Sequence, residues 1–186
     1  MNRLSPGGST GGPRLAGKGV RRNLRRQMHT TAELLRLRRR VVVVDVENAV
    51  GGANIGRDQI LWTRRVLGEL VGLRGSDHVI AASSHIGAVE VGVNWPSARR
   101  LVRSGPDGAD LMLVDVLSRE RIAHRFAEMV LVSGDGIFAD VVAELACRGV
   151  GTTVVAHPGG LSRRLRLVAG SVLYLPARTP TALVAA

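Results

Sequence analysis

Three aspartates stand where their neighbours would let them do chemistry. Asp45 closes the run Val41-Val42-Val43-Val44-Asp45-Val46-Glu47-Asn48, and Asp135 follows Met129-Val130-Leu131-Val132-Ser133-Gly134. Each run is an unbroken aliphatic stretch, the pattern of a strand buried on both faces of a parallel sheet covered by helices. In that architecture ligands sit outside the carboxyl ends of the strands. Two carboxylates are therefore delivered to one edge by separate strands. Asp110, in Gly105-Pro106-Asp107-Gly108-Ala109-Asp110, lies at the start of an apolar helix. Three acids on one rim repel one another unless a positive group lies between them, and a divalent cation is the simplest such group. Hard carboxylate oxygens suit Mg²⁺ or Mn²⁺. Such an ion can activate a water and neutralise charge on a phosphoryl group. Asn48, one turn after Asp45, offers an amide oxygen to the ion or to a water, and Ser133 offers a hydroxyl. The five histidines form no pair with zinc-ligand spacing.

The same acids have ordinary structural roles. Asp107, Asp110 and Asp135 could each cap a helix, where aspartate is favoured. Asp45 is harder to explain in that way, because a charge after four valines caps nothing unless a turn follows. Asp115 and Asp140 lie five residues beyond Asp110 and Asp135, which on an ideal helix is a rotation of about 140°; both are peripheral. Spacing alone leaves open a metal-dependent acidic site and an acid-rimmed receiver or flavodoxin-like domain. A receiver would want a lysine late in the fold, yet Lys18 is the only lysine. The G-x-G-x-x-G of a dinucleotide-binding domain and the P-loop pattern are both absent.

The elements that must hold these residues alternate regularly. Strands are expected at about 41–46, 78–83, 100–103, 129–133, 152–156 and 172–175. Helices are expected at about 57–72, 85–93, 107–124, 135–148 and 161–168. A glycine-rich loop spans 51–56. Alternation with short links indicates a parallel sheet wrapped on both faces, an α/β fold. Aromatic residues are 3% of the chain, so the core must be aliphatic, with Phe138 expected beneath the fourth helix.

The net charge of +11 belongs almost wholly to residues 1–40, which hold eleven basic residues and one acid, Glu33, leaving 15 basic and 14 acidic residues in the remainder. Residues 1–27, rich in Gly, Ser, Pro and Arg, are expected to be disordered, and residues 29–38 form a short amphipathic helix candidate. Met28 is a second candidate start, and the Arg-rich leader also overlaps in composition with organelle transit peptides. A basic arm can hold phosphates in a salt-dependent way without reading sequence. Residues 177–186 are expected to be a disordered tail. One cysteine, Cys147, makes no internal disulfide and fits a reducing, cytoplasmic compartment. No apolar run approaches a membrane span.

Taken together, Asp45-Val46-Glu47-Asn48, Gly108-Ala109-Asp110 and Val132-Ser133-Gly134-Asp135-Gly136-Ile137-Phe138, with the helix end Leu145…Gly149 and Val154-Val155, resemble the NYN domain family over about 41–175. NYN proteins are PIN-like, and many are ribonucleases. The resemblance implies a three-layer α/β/α sandwich with a mainly parallel central sheet over 41–176. It also implies Mg²⁺ or Mn²⁺ held by Asp45, Asp110 and Asp135, and hydrolysis of RNA phosphodiesters with Asn48 as the companion of Asp45. Many family members carry a further acid where this chain has Ile137. Its loss is consistent with a one-metal enzyme or with a module of the same fold that binds RNA without cutting it. The expected partner is single-stranded RNA, contacted by Arg57, Arg99, Arg100 and Arg103, with no membrane involved. Monomer and homodimer both remain open.

Overall fold

The computed structural model describes residues 39–52 and 55–177. The leader up to residue 38, its expected helix, and the tail from residue 178 lie outside the described residues. The valine run forms β1 (Arg40–Asp45), every residue of which is buried. It pairs in parallel with β2 (His78–Ser83) on one side and β4 (Glu128–Val132) on the other. β3 (Arg99–Val102), β5 (Gly151–Ala156) and β6 (Ser171–Tyr174) complete a wholly parallel six-stranded sheet in the order β3-β2-β1-β4-β5-β6. Strand direction is uniform because each pair is joined by a crossover that contains a helix.

Alternation along the strands divides the core into two layers. Val41 and Val43 pack with Leu113, Ile122, Val142 and Leu165 beneath α4 (Gly108–Arg119), α5 (Ile122–Arg125), α6 (Ala139–Cys147) and α7 (Arg163–Val168). Val42 and Val44 face Val46, Ile60, Leu67 and Val91 from α1 (Val46–Val50), α2 (Arg57–Val71) and α3 (His85–Asn94). Phe138 is fully buried in the first layer, as its place in the sequence predicts.

Four details differ from the sequence expectation. β1 begins one residue early, at Arg40, which is buried against Asp77 and donates to the carbonyls of Val71 and Gly72 at the end of α2. A five-residue helix, α1, follows Asp45 directly and ends at Gly51, whose φ of 81° is left-handed. The helix expected over 107–124 is two, because Arg121 adopts a left-handed φ of 54° between α4 and α5. The helix expected from residue 135 opens as a 3₁₀ turn (Gly136–Phe138) before α6. Among the described residues no helix is long and apolar enough to cross a membrane.

Candidate active site at the carboxyl edge of the sheet

In this strand order the connections from β1 and β4 leave toward opposite faces, opening a crevice above their carboxyl ends. Asp45 sits there, only 4% exposed. It is the N-cap of α1, accepting from the Asn48 amide at 3.3 Å on one oxygen and from the Ser133 hydroxyl at 3.1 Å on the other. The cap role that the sequence seemed to deny Asp45 is therefore real, because a helix begins immediately after it. Burial nevertheless pushes its carboxyl up to about 8, and the neighbouring Asp110 carboxyl adds to that push. The Asn48 amide and the Ser133 hydroxyl pull the other way. A capping aspartate ordinarily gains from the helix dipole; this one is dominated by its confinement beside a second acid.

Asp110 is in the first turn of α4. Its Oδ1 is buried and has no hydrogen-bond partner. Burial raises its pKa, and the negative charges of Asp135, Asp107 and Glu47 raise it further, while Asp45 partly offsets them. Asp45 and Asp110 thus perturb each other, through their charges and through a carboxyl–carboxylate hydrogen bond that raises one and lowers the other. Glu47, which the sequence reading passed over, adds a third acid. One of its oxygens accepts from the Ser84 amide at 2.7 Å, while Oε2 is buried without a partner. The available signal was its position two residues past Asp45, which a strand continuing through Val46 would have placed back in line with Asp45.

Asp45, Glu47, Asn48, Asp110, Arg103 and His157 line one cleft of about 570 Å³. Asp135 is not part of that lining. It is exposed, and one of its oxygens caps the 3₁₀ turn by accepting from the Ile137 amide at 2.9 Å. Ile137 itself packs against the core. Asn48 does not present its amide oxygen to the cleft unengaged, because that oxygen accepts from the Gly134 amide at 3.1 Å. Ser133 couples the two strand ends, donating to Asp45 and accepting from the Asp135 amide at 3.2 Å. Gly134 is required by a close approach: a Cβ there would lie 2.1 Å from the Gly160 carbonyl oxygen, and Ser162 donates to the Gly134 carbonyl.

Of the four arginines expected to meet RNA, only Arg103 lines the cleft. Arg99 is at the amino end of β3, held by Glu120 through two contacts of 2.6 Å. Arg100 lies across Gly92 of α3, and Arg57 is exposed at the first position of α2. Asp115 pairs with Arg119 and Asp140 with Arg164, all on exposed helix surface.

Among the described residues no three acidic, histidine or cysteine side chains converge into a ready-made metal cage. The donors do fit a hard cation held through two carboxylates and otherwise by water, the usual coordination of Mg²⁺. Buried, partnerless oxygens on Asp110 and Glu47 beside the raised Asp45 are what a cation would satisfy.

No family model matches the chain, and no curated protein matches it. Its fold is similar to the crystal structure of a protein of unknown function from Vibrio parahaemolyticus RIMD 2210633, with 18% sequence identity and a TM-score of 0.53, over 76% of this chain and 94% of that one.

Proposed function

We propose that the protein is a metal-dependent ribonuclease that hydrolyses phosphodiester bonds of single-stranded RNA at the carboxyl edge of the sheet, in the cytoplasm. The observation that carries this reading is the buried, unpartnered Asp110 oxygen in the same cleft as Asp45, whose carboxyl is pushed up to about 8. Leaving such oxygens unsatisfied is unfavourable, and a bound cation removes that penalty. Asp45 and Asp110 would hold Mg²⁺ or Mn²⁺, which would supply charge neutralisation at the phosphoryl group and an activated water. Ser133 fixes Asp45, Asn48 ties the β1 and β4 loops together, and Arg103 offers a cationic contact for a phosphate. The choice of RNA as substrate rests on the NYN resemblance.

The test is Mn²⁺-dependent cleavage of mixed RNA by the full chain, with Asp110→Asn as control. Cleavage by the parent that is lost in a folded variant supports the assignment; equal cleavage by both removes the acids from the chemistry. A second reading, an RNA-binding module that does not cut, is favoured by Ile137, which is committed to the core where many NYN proteins have an acid. It is the outcome if the parent binds RNA and leaves it intact.

A further inference from the structure

The acids at the centre of the carboxyl edge are flanked by one basic group on each side. Arg103 follows β3, two strands from β1 in one direction, and His157 follows β5, two strands away in the other. Both line the same cleft as Asp45. His157 is partly buried, and its Nε2 lies 3.1 Å from the carbonyl oxygen of Ala49, in the helix that Asp45 caps. A carbonyl oxygen only accepts, so Nε2 carries a proton and donates it. This fixes the ring and leaves Nδ1 as the nitrogen able to bind or release the second proton. Nδ1 makes no hydrogen bond and is not sealed from solvent. The ring is thus held by one nitrogen against the helix of the acidic site, its other nitrogen is uncommitted, and the residue lines a cleft rich in negative charge. A histidine whose sole task was to brace α1 would not need to line that cleft.

We propose that His157 is the proton donor to the leaving oxygen in the hydrolysis assigned above, an inference that rests on that reading. In this step a water attacks phosphorus, and the phosphorus–oxygen bond to the leaving nucleoside breaks. The departing alkoxide takes the proton from Nδ1 of the His157 imidazolium, and the proton released by the attacking water passes to solvent. The products are a phosphomonoester and an alcohol, and His157 is then reprotonated from solvent. The Ala49 carbonyl keeps the ring oriented in both protonation states, because Nε2–H is donated in each.

The experiment compares two substrates in the presence of Mn²⁺. One is an ordinary RNA oligonucleotide, whose alkoxide leaving group needs a proton. The other is a nucleotide p-nitrophenyl ester, whose nitrophenolate leaves without one. His157→Gln, which can still donate to Ala49, is expected to cut RNA about 100-fold or more slowly and to cleave the ester like the parent. His157→Ala should regain RNA cleavage when free imidazole is added. Nitrogen-15 NMR of the metal-free parent should show the neutral ring protonated at Nε2. Equal losses on both substrates, no loss on RNA, or a ring protonated at Nδ1 would overturn the assignment of His157 while leaving the ribonuclease reading intact, provided Asp110→Asn is inactive. A parent that cleaves neither substrate overturns both.

Discussion

The two edges of the sheet treat charge in opposite ways. At the amino edge, Arg40 and Asp77 are almost completely buried, with side-chain exposures of 7% and 2%. Each guanidinium nitrogen of Arg40 donates, to Asp77 or to the carbonyls that end α2. At the carboxyl edge, Asp45, Glu47 and Asp110 line one cleft, and two of their oxygens are buried and unpartnered. A fully paired buried charge holds a fold in register, whereas an unpaired acidic cluster lowers stability and creates affinity for something positive. The contrast sets a paired, structural amino edge against an unpaired carboxyl edge, the one to which we assign the proposed function.

The largest expected effect comes from breaking the paired edge. Asp77→Ala strands a buried guanidinium and should cost about 3–5 kcal/mol of stability, read by urea denaturation. A loss below about 1 kcal/mol would make this pair no more than a surface contact.

The carboxyl edge should respond in the other direction. Folded Asp45 holds its proton up to about pH 8, while the unfolded chain releases it near 3.8. Between those values the folded state binds the extra proton, so stability falls as pH rises through that window and stays low above it. Asp45→Asn should therefore match the parent near pH 4 and exceed it at pH 9 by roughly 2–4 kcal/mol. Mn²⁺ should recover part of that difference in the parent and none in the variant. A parent curve that is flat between pH 4 and 9 would remove the contrast between the edges.

The smallest effect belongs to the solvated acids. Asp115→Ala, at an exposed pair with Arg119, should shift stability by less than about 0.5 kcal/mol and leave any cleavage unchanged. Loss of cleavage in this variant would extend the working surface onto the outer face of α4.

The fold was legible because the hydrophobic pattern is strong. Four consecutive valines in β1 and the aliphatic run of β4 admit little except a central parallel sheet. The two wall acids Asp45 and Asp110 were also legible, since strand ends and helix starts are marked by composition. What sequence could not supply was direction. α1 starts without a break after Asp45, because the Asp45 cap and left-handed Gly51 can bound a helix of only five residues. That turn carries Glu47 into the cleft and brings Ala49 within reach of His157. Asp135 looks equivalent to Asp45 in sequence because both end apolar strands, and both cap the turn that follows; the difference lies in burial, Asp45 being 4% exposed and Asp135 open to solvent while its charge still acts on Asp110. Arg99 and Arg103 are four residues apart in sequence and lie at opposite ends of β3 in space, which only a correct strand boundary reveals.

The contact between Gly134 and Gly160 limits how this protein can be re-engineered. Surface loops of α/β proteins are often exchanged one at a time, but here the loop after β4 and the loop after β5 touch backbone to backbone, with no room for a side chain. They form a single unit of inheritance: a graft that replaces one must carry the other with it, and a library that varies residue 134 will sample mostly displaced loops.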